Sequence, residues 1–152
     1  MRDLIEFAIV RHLPEAMLSD EAVTMLLAIG HQESGWKHRR QVNGPARGWW
    51  QFEQGGGVAG VLRHHSTRDI AARICGELGY RPEADDVYAA IADNDLLAVC
   101  FARLLLWTLP GPLPVIGDED AAWDQYIEAW RPGKPHRNRW GKSYRHALRG
   151  IA

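Results

Sequence analysis

Apolar residues recur at helical spacing along nearly the whole chain, and no segment alternates apolar and polar positions for long enough to make a convincing strand. Leu4, Ile5, Ala8 and Ile9 form a first stripe, which Pro14 closes. "DEAVTMLLAIGHQES" predicts a second helix, capped by Ser19 or Asp20 and carrying acids in its first turn, where the helix dipole favours them. A loop follows over residues 35–57. "STRDIAARICGELG" predicts a helix opened by Ser66, with Asp69 completing a capping box and Gly79 as its stop. "PEADDVYAAIA" and "NDLLAVCFARLLLWTL" predict two more. Asp93 and Asp95 read as start signals for the second of these, which should be the most buried helix. The proline-dense "LPGPLPVIG" is a rigid connector before "DEDAAWDQYIEAW" and the closing "RWGKSYRHALRGI". The pattern predicts an all-α fold in a single domain over residues 1–152.

Composition narrows the function classes. An apolar share of 46% and a charged share of 24% are those of a soluble globular protein, and a formal net charge of -1 argues against a protein built around nucleic-acid phosphates. Seven tryptophans are many for this length and raise a ligand reading without choosing among sugar contact, an aromatic core and an interface. Cys75 and Cys100 both fall in apolar helical segments. They read as buried thiols, with a disulfide between them left open. The N-terminal "MRDLIEFAIVRHLPEAML" lacks the apolar core and cleavage site of a signal peptide, and Arg103 interrupts the longest apolar run, which is too short to span a bilayer.

The candidate chemistry is concentrated in "HQESGWKHRRQVNGPARGWWQFEQGGG". Glu33 falls at the edge of the stripe made by Val23, Leu26, Leu27 and Gly30, at a helix C-terminus. Partial burial and the negative end of the helix dipole both oppose its ionisation. A carboxyl that keeps its proton near neutral pH is what protonation of a glycosidic oxygen needs. Gly30, without a side chain, leaves room beside the acid for a ligand. The alternative is a boundary glutamate tied to the loop after it. In that loop Gly48 lets the backbone pass close to a ligand or a helix. Trp49, Trp50 and Phe52 cannot all be buried in so short a stretch, so at least one ring should face a cleft. Gln51 offers both a donor and an acceptor for sugar hydroxyls and N-acetyl groups. Alternation along "WWQFE" places Trp49, Gln51 and Glu53 on one side, so Glu53 is either a second cleft carboxylate or a solvated loop acid.

Glu33-Ser34 followed by "GPARGWWQF" resembles the soluble lytic transglycosylase and goose-type lysozyme group, including phage muralytic enzymes. The pattern of that group is Glu-Ser, a variable loop, then Gly-Ala-x-Gly-Leu-(Met/Trp)-Gln. The two motifs span roughly residues 26–54. The resemblance implies a lysozyme-like helical domain with a loop-built cleft, Glu33 as catalytic acid and base, Ser34 as a polar support near the reacting sugar, and Gln51 as a cleft contact. A third element of the group, a Tyr-Asn-Ala-Gly turn, corresponds to "AWRPG", where Trp130 stands in place of the tyrosine. The closing "YRHAL" resembles the group's terminal tyrosine-containing helix.

These readings converge on cleavage of the β-1,4 bond between N-acetylmuramic acid and N-acetylglucosamine in peptidoglycan. With one strong acid, the expected outcome is that of a lytic transglycosylase, in which the muramic 6-hydroxyl closes a 1,6-anhydro ring and no protein nucleophile is needed. The rivals are a true lysozyme or chitinase-like hydrolase on the same scaffold, and a non-catalytic phage structural or wall-binding protein. His64 and His65 lack any recognisable metal-ligand spacing, and no metal or other cofactor is expected. His31 points away from Glu33. The basic run "RPGKPHRNRWGK" is either a solvated loop or an attractant for anionic wall polymers. The expected partner is the glycan strand, with no nucleic acid and no membrane, the protein acting as a monomer. It would be made in a bacterial cytoplasm and reach the wall by holin release or as a virion component.

Overall fold

The computed structural model describes residues 1–151. Among them the chain forms eight α-helices and no sheet: α1 (Arg2–His12), α2 (Asp20–Ser34), α3 (Ala59–Arg63), α4 (Arg68–Leu78), α5 (Ala84–Ile91), α6 (Asp95–Trp107), α7 (Glu119–Trp130) and α8 (Arg137–Ile151). A single 3-10 turn (Glu15–Met17) follows α1, and a wide glycine-rich turn (Gln54–Val58) leads into α3. None of these helices is long and apolar enough to cross a membrane.

The core is organised by α6. Asn94 caps it, accepting the Leu97 amide at 3.1 Å, and every residue from 97 to 106 is buried. Within the buried stretch the one charged side chain is Arg103. It donates Nε to the Met17 carbonyl at 2.7 Å and lies over the Trp107 ring, its Nη1 is buried without a partner, and burial lowers its pKa to about 10. α1 packs along one flank of α6, and α2 makes the most extensive helix contact of the fold with α8. α2 starts where its sequence says it should, with Ser19 Oγ accepting the Ala22 amide at 3.1 Å. Cys75 and Cys100 are free, buried thiols, and burial pushes them up to about 11 and about 12. The disulfide left open by the sequence is not made.

One local expectation is corrected. Ser66 does not cap α4. Thr67 precedes that helix instead and donates its hydroxyl to the Val61 carbonyl at 2.6 Å, while Ser66 turns onto His64 and Asp69 stays in solvent. The reason is α3, a short helix that sequence reading did not foresee and whose end fixes where the chain re-enters. At Gly48 the structure decides between two open readings and corrects neither: φ is 76° and a Cβ would lie 2.9 Å from the Ile91 carbonyl, so of the ligand or helix that Gly48 could approach, it is the helix α5.

Candidate active site

Glu33 occupies the last turn of α2, which ends when Gly35 adopts a left-handed φ of 58° and returns its amide to the His31 carbonyl at 2.9 Å. That termination points the loop away from the helix axis and leaves Glu33 facing α7. Tyr126 Oη donates to Glu33 Oε1 at 2.5 Å. The Glu33 pKa rises from an ordinary 4.5 to about 7. Burial is the main cause, opposed by the Tyr126 hydrogen bond and reinforced by the negative charge of Glu53. Tyr126 is itself pushed upward by burial and by Glu33, so it remains a donor. Its ring stacks in parallel on Trp140 at 5.1 Å, and Trp123 packs edge-on against both. The phenol that holds Glu33 is therefore held by a rigid aromatic cluster.

The loop after α2 is pinned at both ends. Arg39 pairs with Asp95 and Arg40 with Asp93, fastening its first part to the entry of α6. Farther on, Arg47 and Phe52 exchange backbone hydrogen bonds of 2.8 and 2.7 Å, closing the tight turn Gly48-Trp49-Trp50-Gln51. Trp130 Nε1 donates to the Trp50 carbonyl at 2.8 Å and locks this turn to α7. Trp36 fills the space over Gly30, where a Cβ would lie 2.0 Å from its ring, and makes edge contacts with Trp49 and Trp50.

The expected site residues thus separate. Glu33, Ser34, Trp49, Gln51 and Glu53 all keep some exposure, Ser34 lines the groove beside the acid, and Trp50 and Phe52 turn inward. The alternation read from "WWQFE" holds in burial, although the segment is a turn and not a strand. Trp50 as a sugar contact is corrected: it is fully buried and donates Nε1 to the Leu26 carbonyl at 2.8 Å. Trp130 spends its only donor on the loop backbone and so anchors the turn. Ser34 Oγ donates to the Gly30 carbonyl at 3.0 Å and accepts the Trp36 amide at 3.2 Å, which commits it to ending α2. Gln51 has a φ of 50° and donates Nε2 to the Gly48 carbonyl, leaving its oxygen as the free polar atom. Trp49 lies with Arg39 stacked on its ring at 4.3 Å. The ligand space expected beside Gly30 is taken by Trp36.

Sequence reading missed Tyr126 and Trp36. The resemblance put Trp130 where the group has a tyrosine; Tyr126, one turn earlier on the same face of α7, is the residue that reaches the acid. His31 indeed turns from Glu33, hydrogen-bonding Ser143 Oγ through Nδ1 at 3.0 Å and stacking on His146. His64 and His65 stack on each other, and no group of three potential metal ligands forms among the described residues.

A groove of about 480 Å³ opens beside Glu33 between the end of α2 and the first turns of α8, bordered by Ser34, His38, Arg139 and Lys142. Comparison of the chain with family models, curated proteins and solved structures returns no match.

Proposed function

We propose that this protein cleaves the β-1,4 linkage between N-acetylmuramic acid and N-acetylglucosamine in peptidoglycan, with Glu33 as the acid. The observation that carries this reading is a buried carboxyl at about 7, beside a groove and hydrogen-bonded by one neutral phenol. Such a group is protonated often enough at neutral pH to give its proton to the leaving glycosidic oxygen, and is then a carboxylate basic enough to take one back. The Tyr126 hydroxyl stabilises the carboxylate formed in that first step.

The second step follows from the number of carboxylates. Glu33 as carboxylate removes the proton of the muramic 6-hydroxyl, whose oxygen attacks the anomeric carbon and closes the 1,6-anhydro ring. The nucleophile belongs to the substrate, so its effective concentration replaces a protein nucleophile. One observation favours a hydrolytic second reading: the Glu53 charge reaches Glu33, so a water between the two would have a second carboxylate to receive its proton.

The test is Glu33→Gln, which keeps an acceptor for Tyr126 but has no proton to give. Wall-clearing activity should vanish while the variant still sediments with purified peptidoglycan. A variant that clears walls at the wild-type rate would remove Glu33 from the mechanism.

A further inference from the structure

The basic side chains of the protein are not equally occupied. Arg39, Arg40, Arg73 and Arg81 each hold a carboxylate, and Arg137 at the start of α8 is pinned between Glu119 at 3.2 Å and Asp120 at 2.5 Å. Other cations also make no ion pair among the described residues, Lys37, Lys134, Arg145 and Arg149 among them, but Arg139 and Lys142 are distinguished by their place at the groove beside Glu33. They lie one helical turn apart and so share a face of α8, both are exposed, and neither makes an ion pair among the described residues. Both border the groove beside Glu33, as does His38 across it.

Much of the polar capacity of the groove's floor is spent within the protein. Ser143 Oγ donates to Gln32 Oε1 at 2.9 Å and meets His31 Nδ1 at 3.0 Å, while Gln32 Nε2 donates to the His136 carbonyl at 3.0 Å. The charge that a ligand would meet is at the rim, where Arg139 and Lys142 stand beside the amide of Asn138. Burial and then His146 hold His31 below its ordinary pKa, and Lys142, Arg149 and Lys37 add to the same direction. Glu33, at about 7, is only partly ionised at neutral pH and offsets that positive field in part.

We propose that this groove binds an anionic substituent, a carboxylate or a phosphate, carried by the glycan strand close to the bond that Glu33 cuts. The inference rests on the muralytic reading above for the identity of the strand. Its chemical content is separate: two unpaired cations on one helix face select a negative charge at a fixed distance from the acid. The selected strand would bear ionised peptide stems or phosphate groups, and strands stripped of both would be poorer ligands.

The experiment uses the full chain with Glu33→Gln, so that ligands bind without turnover. Titration calorimetry compares a muramyl tetrasaccharide-peptide with free carboxylates, the same compound with its carboxylates amidated, and a muramyl tetrasaccharide without peptide that bears a 6-phosphate on the muramic residue not cut, so that the reacting 6-hydroxyl stays free. One or both anionic ligands should bind at least roughly ten-fold more tightly than the amidated one, a preference erased by high salt, and the better of the two names the source of the charge. Adding Arg139→Gln and Lys142→Gln should abolish the preference and leave affinity for the amidated ligand unchanged. Equal binding of all three ligands, or a preference that survives the double substitution, overturns the proposal. Clearing of walls by the wild type together with equal binding would sink the groove and spare the cleavage reading. A retained preference in a wild-type protein that clears no wall would do the reverse.

Discussion

Glu33 and Glu77 are glutamates in the last turns of two helices, α2 and α4, and the protein treats them in opposite ways. Glu77 stands between His12 Nδ1 at 2.9 Å and Arg73 at 2.6 Å, and these contacts hold its carboxyl below the ordinary range. Glu33 has no cation against it. A phenol is its one hydrogen-bond donor, another glutamate is the nearest influential charge, and burial carries it to about 7. Both helix ends present the same negative dipole, so the dipole cannot be what separates them. The difference lies in solvent and partners: one carboxylate is exposed and paired, the other withdrawn from water and left with a neutral donor.

The largest expected effect comes from removing the proton that this difference creates. Glu33→Gln should lower kcat on peptidoglycan by roughly 10³-fold or more, read by release of soluble muropeptides. The same substitution has a stability signature. A carboxyl raised in the folded state contributes stability that is full below its ordinary 4.5 and lost as the pH rises through about 7. The variant escapes that loss and should be more stable than wild type at pH 8 by up to about 2–3 kcal/mol in urea unfolding, with little difference at pH 4.

Tyr126→Phe comes next. It removes the interaction that favours the carboxylate, so the Glu33 pKa should rise further and the alkaline limb of the kcat/KM profile should move upward. The rate should fall by about ten-fold, since a charge-directed hydrogen bond is worth about 1.5–3 kcal/mol. Substituting Glu53 gives a smaller effect of opposite direction. Glu53→Gln should move the alkaline limb downward, and Glu53→Lys farther, because it supplies the cation that Glu77 has and Glu33 lacks. A collapse of kcat in Glu53→Gln without movement of the limb would identify Glu53 as a reacting group and favour hydrolysis. The smallest effect is expected at the other site of the comparison. Glu77→Gln should leave turnover unchanged and cost a little Tm near neutral pH, a loss that disappears in acid, where Glu77 is protonated in any case.

What was legible in the sequence was what depends on near neighbours. The helix α6 declares itself by apolar residues on every face, α2 by its cap, and Glu33 by its place on the edge of a stripe. The parity of the Trp-Trp pair was only half legible. Alternation says that one ring goes in and the next out, but choosing between them needed the Leu26 carbonyl that receives Trp50 Nε1. Tyr126 was illegible for a different reason. It reaches Glu33 from a distant part of the chain, and its place depends on how α7 packs against α2. Trp36 hid in the same way, since nothing local says that the space over Gly30 belongs to a ring of this protein. The salt pairs of Arg39 and Arg40 were likewise spread over two segments, and their aspartates read only as helix starts.

The central claim is that Glu33 alone supplies the proton transfers while the substrate supplies the nucleophile. Mass spectrometry of peptidoglycan digested by the wild-type protein tests it most directly. Fragments ending in 1,6-anhydromuramic acid, absent from a Glu33→Gln digest, are the expected result. Fragments ending in reducing muramic acid, or a wild-type digest with no soluble fragments at all, would contradict it.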